Sequence, residues 1–204
     1  MNKMNRGTRN LINTILSLLV ISVLGGLGYL LFSSGESFVP ENFVKAREKS
    51  AIIAAELVSD LDLSLHSLAK ISEEDKNGRF SSALGLVEQE IEKIEKAKAM
   101  AMELSNELIN MTHAIQGIKP IAARNLALEA VSQETSLLMR LNNYLNSSFN
   151  PLLETLRLKF YGDIRYDSGD VQVLIENMNK EASEINSISN SFNQKFKEFD
   201  SVIN

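Results

Sequence analysis

Residues 80–118 read FSSALGLVEQEIEKIEKAKAMAMELSNELINMTHAIQGI. Phe80, Leu84, Val87, Ile91 and Ile94 recur every three or four residues, and Ala97, Ala101, Leu104, Leu108, Met111, Ile115 and Ile118 continue the series. Such spacing puts apolar side chains on one face of a long helix. Two three-residue steps in a row, Ile91 to Ile94 to Ala97, predict a stammer that overwinds the helix locally. Glu88, Glu92, Lys93, Lys96 and Lys98 occupy the other face, with Glu92 and Lys96 forming a favourable pair four apart. That face reads as solvated.

The segments on either side repeat the pattern. A first helix begins near Pro40-Glu41 and carries Ala54, Val58, Leu61, Leu65 and Leu68 in one stripe. It ends in the polar run Glu73–Gly78, where Gly78 suits the left-handed residue after a helix. Gly117-Ile-Lys-Pro120 separates the second helix from a third, which carries Leu128, Val131, Leu138, Leu141, Leu145, Phe149, Leu152, Leu156 and Phe160. Pro151 interrupts this helix. The apolar register runs past the proline, so a kink is expected, with a break capped by Asn150 as the alternative. Tyr161–Asp170 is the one substantial loop, and Asp167 or Ser168 can cap the helix after it. That fourth helix places Ile175, Met178, Ala182, Ile185, Phe192, Phe196, Phe199 and Ile203 on one seam, with Ser189 its lapse. Four such helices of about 35 residues, each roughly 50 Å long, predict an all-α, up-down-up-down antiparallel four-helix bundle over residues 40–204. In that topology the turns at 73–79 and 161–170 share one end, and 117–120 and the C-terminus share the other.

Ahead of the bundle, residues 11–32 read LINTILSLLVISVLGGLGYLLF, uncharged from Arg9 to Glu36. Twenty-two helical residues span roughly 33 Å, enough for a hydrocarbon core of about 30 Å. The expectation is a signal-anchor transmembrane helix, with 1–10 a basic leader and 33–39 a short linker. Ser33-Ser34-Gly35 suits a cleavage site, which keeps a removed signal peptide as the alternative. Lys3, Arg6 and Arg9 precede the run and no Lys or Arg follows until Lys45. The N-terminus is therefore expected in the cytoplasm and the bundle outside, in a single-pass cell-membrane protein. Ser22-x-x-x-Gly26 and Gly25-Gly26-x-Gly28 would let two anchors approach, so a homo-oligomer is compatible with the sequence. The leader MNKMNRG resembles that of type IV prepilins, but Thr8 and Ile12 stand where that family expects a Phe-like residue and a Glu. The anchor-then-bundle layout is similar to that of LemA-type membrane proteins. The run that characterises them after the anchor is absent, and no family is assigned.

Of 21 basic residues three precede residue 36, and none of the 26 acidic ones do, which leaves the rest of the chain at −8. A domain of that charge does not seek nucleic acid. The chain has no cysteine, so its stability rests on packing without disulfides.

Several residues invite a sharper chemistry. Asp62 lies one turn before His66, but metal sites take three or four ligands, so a local surface pair is expected. Leu63 and Asn110 stand three residues before His66 and His113, where a di-iron bundle needs Glu. Asp163, Asp167 and Asp170 share the long loop, but Arg165 breaks the calcium-loop pattern and a capped polar turn is expected. Phe192, Phe196 and Phe199 read as core, flanked by Lys195 and Lys197, whose membrane-surface reading is the lesser one. Gly78-Arg79-Phe80-x-x-Ala83-Leu84 is similar to one corner of a tetratricopeptide repeat, without the second copy that fold needs. Asn110-Met-Thr112 and Asn146-Ser-Ser148 match the glycosylation acceptor pattern. No catalytic, cofactor-binding or metal-ligating residue is expected, and no cofactor. The protein is expected to be a non-enzymatic interaction or scaffold module, its charged tip meeting a protein partner. The alternative is a small-ligand-sensing bundle signalling through a partner, with Asn125, Gln133, Asn142 and Ser189 lining a pocket.

Overall fold

The computed structural model describes residues 37–203. They form α1 (Glu41–Lys76), α2 (Phe80–Ala114), a 3-10 turn (Ile115–Gly117), α3 (Ile121–Asn143), a π-helical turn (Tyr144–Phe149), α4 (Asn150–Tyr161) and α5 (Ser168–Ile203). The fold is all-α, four long helical runs with no strand among the described residues, where an isolated antiparallel bridge joins Phe38 to Lys119. No helix among the described residues is long and apolar enough to cross a membrane. The expected anchor at 11–32, the leader at 1–10 and most of the linker at 33–39 lie outside the described residues.

The buried seam of α2 is more regular than its apolar residues suggest. Ala83, Val87, Glu90, Ile94, Ala97, Ala101, Leu104, Leu108, Met111, Ile115 and Ile118 are buried, an unbroken succession of four- and three-residue steps. There is no stammer in this seam. The expected irregularity came from assigning Ile91 to the core, whereas Ile91 is half-buried and Glu90 is inside. Phe80, expected on the seam, is 52% exposed and stacks on Phe160 instead.

In α1 the stripe runs through Phe43, Ala46, Ser50, Ile53, Leu57, Leu61, Ser64, Leu68 and Ile71, with Leu65 beside it. Ala54 and Val58, assigned to the core from sequence, are not buried in it: Ala54 is half-buried, and the inward position beside Val58 is taken by Leu57. The helix ends in a Schellman turn: Gly78 has φ +69°, and the Arg79 N–H reaches the Glu74 carbonyl at 2.9 Å.

Pro151 neither breaks the chain's helical path nor follows a capping Asn150. Asn143 and Asn150 both have helical dihedrals, and the Asn150 N–H donates to the Leu145 carbonyl five residues back. This wide turn adds room where the proline ring would meet the preceding turn. It also rotates the turns beyond the proline. Leu153, absent from the apolar series, is fully buried, whereas Leu156 and Phe160 are only half-buried.

The described residues divide into two units. The first comprises 59–98 and 141–184. In it Asp60 on α1 pairs with Lys96 on α2 at 3.0 Å, and Asp75 on α1 pairs with Lys159 on α4. The second comprises 37–58, 99–140 and 185–203. In it Lys49 on α1 bridges Glu103 (3.2 Å) and Glu107 (2.7 Å) on α2, and Lys195 on α5 reaches Glu129 on α3 at 3.0 Å. Phe43 packs on Phe199 with centroids 5.8 Å apart. The Ser37 hydroxyl donates to the Ile203 carbonyl, and Phe38 pairs with Lys119, so the start of α1, the α2–α3 turn and the end of α5 meet. A Cβ on Gly117 would lie 2.6 Å from the Pro40 ring, which is why that turn carries glycine.

Candidate interaction surface

In the first unit the two polar turns come together, as the helix order implies. Gly162, at φ +70°, ends α4 in the same way that Gly78 ends α1, with the Asp163 N–H on the Leu158 carbonyl at 3.0 Å. Lys159, in the last turn of α4, forms the ion pair with Asp75 that ties the turns. Its ammonium lies 5.5 Å from the Phe160 ring centre and 5.9 Å from that of Tyr166. Burial and the Asp75 carboxylate raise the Tyr166 phenol.

The loop is rigidified by its own acids. Asp163 accepts the Arg165 backbone N–H at 2.9 Å and its guanidinium at 3.0 and 2.7 Å. These bonds lower its carboxyl to about 2. Asp167 accepts the Gly169 N–H at 2.8 Å and caps α5, as expected for a loop of this composition. Asp170 sits in the first turn of α5. The three aspartates are thus divided between an arginine, a helix cap and a helix start. Among the described residues no group of three or more His, Asp or Glu is placed to hold a metal.

What this end presents to solvent is an apolar apex beside arginines that are each paired with a carboxylate. Ile164 is 100% exposed at the apex, Tyr161 is 59% exposed, and the Arg157 guanidinium lies 5.8 Å from the Tyr161 ring centre. An open recess of about 430 Å³ beside them is lined by Glu154, Arg157, Leu158, Tyr161, Asp163 and Arg165. Arg79 lies on the neighbouring turn, held by Glu74 at 2.5 and 2.7 Å. The apolar apex Ile164 lacks a periodic pattern around it, so only its loop position and the structure reveal it.

The remaining sequence candidates are dispersed. His66 Nδ1 lies 2.8 Å from the Asp62 carbonyl oxygen and 3.8 Å from its carboxylate, on an exposed face. Asn125 is exposed, Gln133 and Asn142 are half-buried and Ser189 is buried, and none of the four lines the recess. Asn110 and Asn146 are exposed, the first donating to Glu107 at 3.1 Å and the second to the Asn142 carbonyl at 2.9 Å. Phe196 and Phe199 are buried and Phe192 half-buried, in edge-on contacts at 4.9 and 6.2 Å. The Arg47 guanidinium covers Phe196 at 4.2 Å while pairing with both oxygens of Asp200 at 2.7 and 2.9 Å.

Sequence reading placed no carboxylate in the core, yet three acids are there. Glu107 is held by Lys49 and Asn110, which lower its carboxyl. Glu90 is wholly buried, with Oε1 on Lys93 Nζ at 2.5 Å and Oε2 lacking a hydrogen-bond partner among the described residues. Glu134 accepts the Ser50 hydroxyl at 2.6 Å, and burial raises its carboxyl to about 7. The signal for each was position: all three fall at core spacing within their helices.

No protein-family model, curated protein or solved structure matches the chain.

Proposed function

We propose that this is a single-pass membrane protein whose outer part is an up-down-up-down four-helix bundle serving as an interaction or scaffold module. Residues 11–32 hold it in the cell membrane, the leader faces the cytoplasm, and residues 40–204 stand outside. It performs no catalysis. The end carrying the Glu73–Arg79 and Tyr161–Asp170 turns faces away from the membrane and docks a protein partner of the cell envelope.

One observation carries this reading: the pinned loop of the first unit holds Ile164 fully in solvent, with Tyr161 and arginines around it. Aromatic and arginine side chains around an apolar anchor are the composition of interface hot spots. The loop's internal bonds to Asp163 and Asp167 reduce the ordering entropy that docking would cost. The net charge of −8 on the outer part disfavours nucleic acid and anionic lipid as partners.

The test is photo-crosslinking in intact cells from a reactive amino acid at Tyr161. A defined envelope protein should be captured, and Ile164→Asp in the same chain should reduce capture at least about tenfold, the equivalent of losing 1.4 kcal/mol. Capture from Tyr161 that equals capture from the exposed Glu92, or that is indifferent to Ile164→Asp, refutes the docking surface.

A further inference from the structure

We infer that two copies of the chain pair side by side, parallel and in register, through the outward face of α3. The inference rests on the anchored reading above, which sets both copies in one orientation.

The outward face of α3 is unusual for this chain. At about 100° per residue, Ile121, Leu128, Ser132, Thr135 and Met139 fall within one strip about 60° wide, opposite the buried Ala123, Ala127, Ala130 and Glu134. Ile121, Leu128 and Met139 are 68%, 52% and 64% exposed. The strip runs about 27 Å without a charged residue, in a chain of which 23% is charged. Three exposed apolar side chains on one uncharged line leave a face that a partner can cover without desolvating a charge.

Two features select a second copy as the occupant. The first is charge. Each outer part carries −8, and an uncharged strip is a face on which two copies meet without setting like charges directly opposite each other. The second is where the undescribed chain joins. Residues 1–36 lead into Ser37 and Phe38, and Phe38 pairs with Lys119, two residues before Ile121. In each anchored copy the strip therefore starts at the point where the chain departs toward residues 11–32. Two anchored copies related by a two-fold axis along the membrane normal bring these strips together parallel and at equal height. The spacing fits that geometry. Ile121, Asn125, Leu128, Ser132, Thr135 and Met139 follow steps of four and three, the alternation of a coiled-coil seam. Asn125 and Leu128 then occupy a and d positions, and an Asn at a can pair with its copy and so help to fix register. Confinement in one membrane raises the effective concentration enough for so short a seam to act.

The chain has no cysteine, so single reporters are clean. Full-length chains carrying Asn125→Cys, Leu128→Cys, Ser132→Cys or, as a control on α1, Glu48→Cys would be oxidised in native membranes. The mass is then read without reductant. Pairing predicts a species at twice the 22.7 kDa chain mass for the three strip positions and not for Glu48→Cys. Adding Ile121→Asp and Met139→Asp should cut the Leu128→Cys product at least about tenfold. These positions are exposed, so an unchanged helical circular-dichroism spectrum will show that folding is intact. Cross-linking at Ser132 without Asn125 would mean antiparallel strips and overturn the proposal. So would monomers in which the Leu128→Cys thiol labels freely. Monomers in which it resists labelling would overturn it too, and assign the strip to residues 11–32 or to an unrelated partner. Fractionation of the same cells reads the anchor separately: recovery of the chain as soluble protein refutes the anchored reading, whatever the cross-links show.

Discussion

Glu134 is a carboxyl removed from water, 7% exposed, whose Oε1 accepts the Ser50 hydroxyl at 2.6 Å. Desolvation is the largest effect on it and raises it from 4.5 to about 7; Ser50 and the Arg47 charge oppose this but do not prevail. Arg47 also pairs with Asp200, and Lys49 pairs with Glu107 and Glu103. In the unfolded chain the group ionises near 4.5, while in the folded chain it keeps its proton until about 7. The folded state binds more protons across that window, so stability should fall as pH rises from about 4.5 to about 7, by about 3 kcal/mol. Carboxyls lowered by partners, such as Glu107 beside Lys49, act at more acid pH and with the opposite sign. Urea unfolding at pH 5 and pH 7.5 checks this: the wild-type midpoint should drop, and Glu134→Gln should remove most of the drop. Equal pH dependence in both proteins would place the titration elsewhere. Nothing in residue type announced this group. Glu usually marks a solvated face, and only its place in the series Ala127, Ala130, Glu134, Leu138 put it inside.

At the scale of the element, apolar periodicity was enough to find each long helical run among the described residues, and the helix-ending glycines Gly78 and Gly162 lie in the expected turns. It failed where residue type and position disagree. The seam of α2 appeared irregular because Ile91 was assigned to the core, a place that the charged Glu90 takes instead. The seam after Pro151 was extrapolated at 3.6 residues per turn, and the π turn at Tyr144–Phe149 altered that phase without any mark in composition. The altered phase makes a direct comparison. Leu153→Ala should cost about 2–5 kcal/mol, the usual range for a buried leucine, and Leu156→Ala clearly less, because Leu156 is only half-buried. Thermal or urea unfolding of the two variants decides it. A larger loss at Leu156 would restore the uninterrupted register and remove the π turn's role.

For the whole molecule, the all-α class followed from four long periodic segments, and within each unit the expected turns meet. The surfaces that carry the functional proposals were much less legible. A docking apex rests on a single side chain, Ile164, and a pairing strip rests on outward residues that a search for core positions passes over. Leu128, assigned to the buried face of the third helix by sequence, shows why: its spacing was read correctly as apolar and its direction wrongly as inward. Both proposals depend on residues 11–32 crossing the membrane with the bundle outside. Ser168, the exposed first residue of α5, sits beside the docking loop and is replaceable by cysteine in a chain that has no other. Intact cells expressing full-length Ser168→Cys would be treated with a membrane-impermeant thiol reagent, and the label and its apparent mass recorded. Labelling at the full 22.7 kDa is the expected result, for an uncleaved anchor and an outer bundle. Labelling that appears only after lysis would place the bundle inside the cell and contradict the proposed topology.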